Sequence, residues 1–135
     1  MSDLHIDDFY KDVARAFTLL YSSFPRKIIL YVEDICGPDS PDEFGLHCPR
    51  FQSCFSTLIW LADTGYLRYD TTIRQEALDQ ACLTHKGFTL LSSRNLASED
   101  LPLPQPANID RLRDTLKHGS SFALEELLQA LLRTP

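Results

Sequence analysis

The sequence has little glycine, and no pattern that marks a common enzyme class. Each of its five glycines is explained by a helix end or a turn, so none is spare for a loop that cradles phosphate. No Gly-x-Ser-x-Gly elbow and no His-Glu-x-x-His pair occurs, and the cysteines form no Cys-x-x-Cys. The familiar signatures of serine hydrolases, zinc proteases and closed zinc sites are therefore missing. Apolar runs are short, none approaching the roughly 18 residues of a membrane span. Positive charge is also scarce: 13 lysines and arginines face 19 aspartates and glutamates, giving a formal charge of −6. That balance opposes a broad electrostatic grip on nucleic acid or anionic lipid. The opening Met1-Ser2-Asp3-Leu4-His5-Ile6-Asp7-Asp8 is acidic, unlike a basic leader. Composition thus predicts a soluble, cytoplasmic, non-enzymatic protein with no cofactor, no metal and no membrane partner.

What is present suffices for one core. Of 135 residues, 44% are hydrophobic, enough to fold without disulfides. Cys54 and Cys82 fall on apolar stripes and are expected in the core. Cys36 and Cys48 flank an acidic loop and are expected to be the accessible thiols, reduced in a cytoplasm.

Periodicity places the elements. Phe9, Val13, Phe17, Leu20, Tyr21 and Phe24 recur at three or four residues, which predicts a helix stopped by Pro25. Ile28 to Val32 suits a short strand, and Glu33 to Cys36 either continues it or forms a brief helix closed by Gly37. Glu33 to Glu43 holds five acids and no base, and reads as a solvated loop in which Ser40, Pro41 and Glu43 could cap a single helical turn. From Pro49, the positions Phe51, Cys54, Phe55, Leu58, Ile59 and Ala62 predict the clearest helix, ended by Gly65. Tyr66 to Tyr69 reads as a strand, Asp70 to Gln80 as a polar connection, and Ala81-Cys82-Leu83 as a returning strand. Thr84 caps a short helix through Leu91. A Pro-rich linker spans 94–107. Two helices follow in 108–135, the first capped by Asn108 and the second by Ser120 or Ser121 and carrying Leu124, Leu127, Leu128, Leu131 and Leu132.

The stretch Phe55-Ser56-Thr57-Leu58-Ile59-Trp60-Leu61-Ala62-Asp63-Thr64-Gly65-Tyr66-Leu67-Arg68-Tyr69 resembles the recognition helix and first wing strand of a winged helix-turn-helix domain. Ala81-Cys82-Leu83-Thr84-His85-Lys86-Gly87-Phe88-Thr89-Leu90-Leu91 resembles the second wing strand and the helix start that closes many bacterial regulators of that kind. The resemblance covers about residues 7 to 93. It implies a mainly α protein with a small β wing, an α+β class, in which a winged helix-turn-helix domain (1–93) precedes a C-terminal helical hairpin. It also implies duplex DNA as partner, held by Arg50, Gln52, Ser53, Ser56, Arg68, Arg74 and Lys86, and a homodimer formed through residues 108 to 132.

Charge points to a different use of the same fold. Residues 48 to 93 hold four bases (Arg50, Arg68, Arg74, Lys86) and four acids (Asp63, Asp70, Glu76, Asp79), too neutral for ordinary phosphate binding. The acidic insertion lies where a helix-turn-helix is normally tight. On a helical wheel, Trp60 sits among Gln52, Ser53, Ser56, Thr57 and Asp63, opposite Phe51. A tryptophan there is expected to be buried under the C-terminal helices or a second subunit, or else to stack on a ligand. The second reading is therefore a protein-interaction or assembly module, with Trp60, Leu124, Leu127, Leu128 and Leu131 at its contact surface.

Overall fold

The computed structural model describes residues 4–94 and 105–133. Its elements, in order, are α1 (Leu4–Ser23), β1 (Ile28–Tyr31), α2 (Glu33–Cys36), α3 (Pro49–Asp63), β2 (Leu67–Arg68), β3 (Thr71–Ile73), β4 (Ala77–Leu83), α4 (His85–Ser92), α5 (Asn108–His118) and α6 (Ser121–Arg133). This is a mainly helical α+β fold with a small antiparallel sheet. The Pro-rich segment, apart from Arg94 and residues 105–107, lies outside the described residues.

β4 is the central strand, with β1 on one side and β2 and β3 on the other, all antiparallel. The pairs Leu67↔Leu83, Arg68↔Cys82, Thr71↔Asp79 and Ile73↔Ala77 share one register, so β2 and β3 form one interrupted arm. The expected polar connection from Asp70 to Gln80 is thus corrected to a hairpin. Its outer arm, Thr71 to Ile73, buries no side chain in the core, so no apolar alternation reveals a strand. Its turn uses Arg74 and Gln75 at positive φ, without the Asn-Gly pair that usually marks such a turn.

α1 is the keel of the core. Val13, Ala14, Ala16, Phe17 and Leu20 are buried, and the helix touches α3, α5, α6 and β4. α5 and α6 pack back onto it. Ile109, Leu112, Leu124, Leu128 and Leu131 join the same buried cluster as Phe17, Leu58 and Leu91, and Leu127 packs half-buried against it. Most of the leucine stripe expected to form a dimer seam through 108–132 is therefore buried within the chain, with Leu127 and Leu132 half-buried. Asn108 does not cap α5; Ala107 does, while the Asn108 amide donates to Leu90 O at 2.8 Å and joins α5 to α4. Ser120 caps α6 by accepting from the Ala123 N–H.

The glycine in the Thr84-to-Leu91 motif has a steric cause. Thr84 Oγ1 accepts from the Gly87 N–H and donates to Gly65 O, drawing the start of α4 onto the β2 approach. A Cβ on Gly87 would lie 2.1 Å from Tyr66 O, so only hydrogen fits there.

Candidate functional site

α3 presents Gln52, Ser53, Ser56, Trp60 and Asp63 outward. Thr57, expected beside them, is buried, its hydroxyl donating to Ser53 O at 3.0 Å. Arg50 is not part of this surface. Its guanidinium makes two charge-assisted bonds to Asp12, at 2.6 and 2.7 Å, and lies 3.4 Å from Asp8. Asp12 is buried, and the bond to it raises the Arg50 pKa further above its ordinary value. Where the resemblance implied a DNA contact, Arg50 neutralises a buried carboxylate of α1 and ties α3 to that helix.

The other expected DNA contacts do not converge. Arg68 lines a polar cleft with Lys27, Asp70 and Asp79, and Arg74 stands at the turn tip at the far end of the same arm. Lys86 donates to Thr64 O at 3.0 Å and lies 4.4 Å from the Tyr66 ring centre. Gln52 donates to His47 O at 2.6 Å. Gln52, Ser53 and Ser56 do remain side by side on α3, in a shallow depression with His5, Ile6 and Phe9.

The structure brings together an aromatic groove. Trp60 is 39% exposed, so its expected burial is corrected; Phe9 meets it edge to face at 5.1 Å, and Tyr10 lies 5.3 Å beyond Phe9. Tyr66, Thr64, Gln129 and Leu132 complete a groove of about 600 Å³, with Lys86 and Arg133 on its rim. α6 flanks the tryptophan without covering it. Gln129 reaches Tyr10 Oη at 3.4 Å, and Tyr66 Oη donates to Leu132 O at 3.5 Å, so the walls are cross-linked. The sequence marked Trp60 as a contact residue and Phe9 as part of the α1 core stripe, against which it does pack, but gave no role to Tyr10 or Arg133. The tryptophan on a polar wheel face signalled a contact surface, but its neighbours come from α1 and α6 and no sequence pattern on α3 names them.

At the other end of α3 the acidic loop is ordered without a helical turn. Asp42 Oδ1 accepts from the N–H groups of Phe44 and Leu46, at 2.8 and 3.0 Å, and the Asp42 N–H donates to Leu46 O. The segment is thus the exposed loop the sequence indicated, and this local bonding takes the place of the helical turn that Ser40, Pro41 and Glu43 could have capped. It leaves Phe44 78% and Leu46 59% exposed. The loop is anchored by His47, which stacks on Phe51 at 4.0 Å and places its ring nitrogens 2.9 Å from Asp39 and 3.6 Å from Glu76. Bonds from the Cys48 N–H and from His47 hold the Asp39 carboxyl below its ordinary range.

Cys54 is buried and Cys36 half-buried close to it; burial pushes both thiols up, which disfavours the nucleophilic thiolate. Cys48 alone of the expected accessible pair is exposed. Among the described residues no three His, Cys, Asp or Glu side chains gather as metal ligands, and no helix is long and apolar enough to cross a membrane. No family model, curated protein or solved structure matches the chain.

Proposed function

We propose that this chain is a non-enzymatic module of winged-helix design that holds a protein segment in the Trp60 groove, with α3 serving association rather than DNA reading. The order α1, β1, α2, α3, then an antiparallel hairpin whose last strand lies beside β1, supports the winged-helix reading, with β3 and β4 as a short wing. Fold alone does not give the function. The observation that carries the interaction reading is the chemistry of α3's outward face. Arg50 is committed to Asp12, the remaining outward residues carry no positive charge, and a half-exposed tryptophan takes the place a phosphate or base contact would need.

The groove favours a segment that offers an apolar or aromatic side chain next to acidic residues. Aromatic walls supply contact area at low entropic cost, and Lys86 and Arg133 supply the complementary charge. Selection from a random peptide library on the immobilised chain is expected to enrich acidic-apolar sequences that no longer bind Trp60→Ala or Arg133→Glu. Fluorescently labelled duplex DNA is expected not to bind even at low salt. Salt-dependent DNA binding that Arg74→Glu weakens, with no enriched peptides, would restore the regulator reading.

A further inference from the structure

Two features at opposite ends of α3 are chemically complementary. The groove at the C-terminal end is aromatic, is left open by the described residues, and is rimmed by Lys86 and Arg133. The loop at the N-terminal end presents Phe44 and Leu46 to solvent beside Asp42 and Glu43. It is a preformed ligand shape, because the bonds to Asp42 fix the turn, and docking therefore costs little further ordering. One copy cannot satisfy itself. α3 has 15 residues, so its ends are about 22 Å apart at 1.5 Å per residue, and Asp39, His47 and Cys48 pin the loop to the near end.

We propose that the occupant of the groove is the Asp42-to-Leu46 loop of a second copy, exchanged reciprocally in a two-fold dimer. Two α3 helices laid antiparallel bring each loop to the other's groove. The centre of the face between them, Gln52, Ser53 and Ser56, is uncharged and mostly small, and the one charge on α3's outward face, Asp63, lies at its C-terminal end. Phe44 inserts beside Trp60 and Phe9, Leu46 follows it, and Glu43 meets Arg133 and Lys86. Such a contact is isologous and closes, so it yields a dimer and not a fibre. It rests on the interaction reading above and names the partner for the same groove.

The chain's single tryptophan lies in the groove, so its emission reports on occupancy directly. Sedimentation of the full chain is expected to show a concentration-dependent dimer, with Trp60 emission shifting to the blue as it forms. Phe44→Ala is expected to weaken dimerisation by about tenfold per contact, or about a hundredfold for the two. Glu43→Lys and Arg133→Glu, both exposed changes, are each expected to give monomers. An equimolar mixture of the two variants is expected to regain the dimer, because each loop then faces a groove of opposite charge. A chain that stays monomeric at high concentration overturns the proposal, as does a dimer indifferent to Phe44→Ala or a mixture that fails to associate. If peptides are enriched as expected but the chain remains monomeric, this inference falls while the groove's role in binding stands. If no peptide is enriched either, both fall.

Discussion

Arg50 and Asp12 meet across 38 positions of sequence, and that encounter changes what the arginine can do. As an isolated base at the first turn of α3 it resembles a phosphate contact. With a buried carboxylate 2.6 Å away it becomes the partner that makes burial of Asp12 tolerable. Asp12 itself sits on the central helix among Val13, Ala14 and Ala16, where an unpaired charge would be costly. Removing Arg50 as Arg50→Ala is expected to cost about 3–5 kcal/mol of folding stability, read by chemical denaturation, because it strands the carboxylate. The double change Asp12→Leu with Arg50→Met is expected to recover most of that loss. Equal instability of the single and double variants would show that the pair is not the cause. The pairing was not legible in sequence, since partners on different helices obey no periodicity. Gly87 was legible as part of a motif, but its reason, the approach of Tyr66 O, is a tertiary fact.

Among the elements, the helices were read closely. α3 begins at Pro49 and ends before Gly65, and α4 begins after the Thr84 cap, because these stops and caps act within a few residues of themselves. The acidic segment was legible as a loop and the wing by its two flanking strands, but not the strand β3 or the loop's anchoring. β3 gains its identity by bonding to β4, and the loop from interactions with α3 and the β3–β4 turn. The loop's order has a pH signature. Asp39 is held below its ordinary value of 3.8 by the Cys48 N–H and by His47, so this contribution is fully present above pH 3.8. It is lost only as pH falls through the depressed value. The Cys48 amide proton, followed by NMR, is expected to titrate below pH 3.8 and to lose that step in Asp39→Asn. A midpoint at or above 3.8 would contradict the anchoring role given to this carboxylate.

For the molecule as a whole, the C-terminal helices decide where the core ends. Leu112, Leu124, Leu128 and Leu131 belong to the cluster built on α1, and fully burying each such side chain is worth about 1.5–3 kcal/mol. Ending the chain at Ser93 is therefore expected to abolish cooperative thermal unfolding and to expose apolar surface to dye, and not merely to split a dimer. A truncated chain that unfolds cooperatively near the full-length midpoint would show that α5 and α6 are dispensable to the core. The same helices set the shape of the Trp60 groove, because Gln129, Leu132 and Arg133 form one of its walls.

The acidic balance, the lack of a recognisable enzyme motif, the boundaries of most helices and the anomaly of a tryptophan on a polar face all follow from the order of residues alone. Each of these is local or compositional, and needs no knowledge of what folds against what. The pairing of Arg50 with Asp12, the inward packing of the leucine hairpin and the open position of Trp60 beside Phe9 emerge from the folded chain. Those outcomes depend on contacts between residues far apart in the chain. Such contacts form where burial and charge pairing together yield the lowest free energy, and helical or strand periodicity cannot specify them.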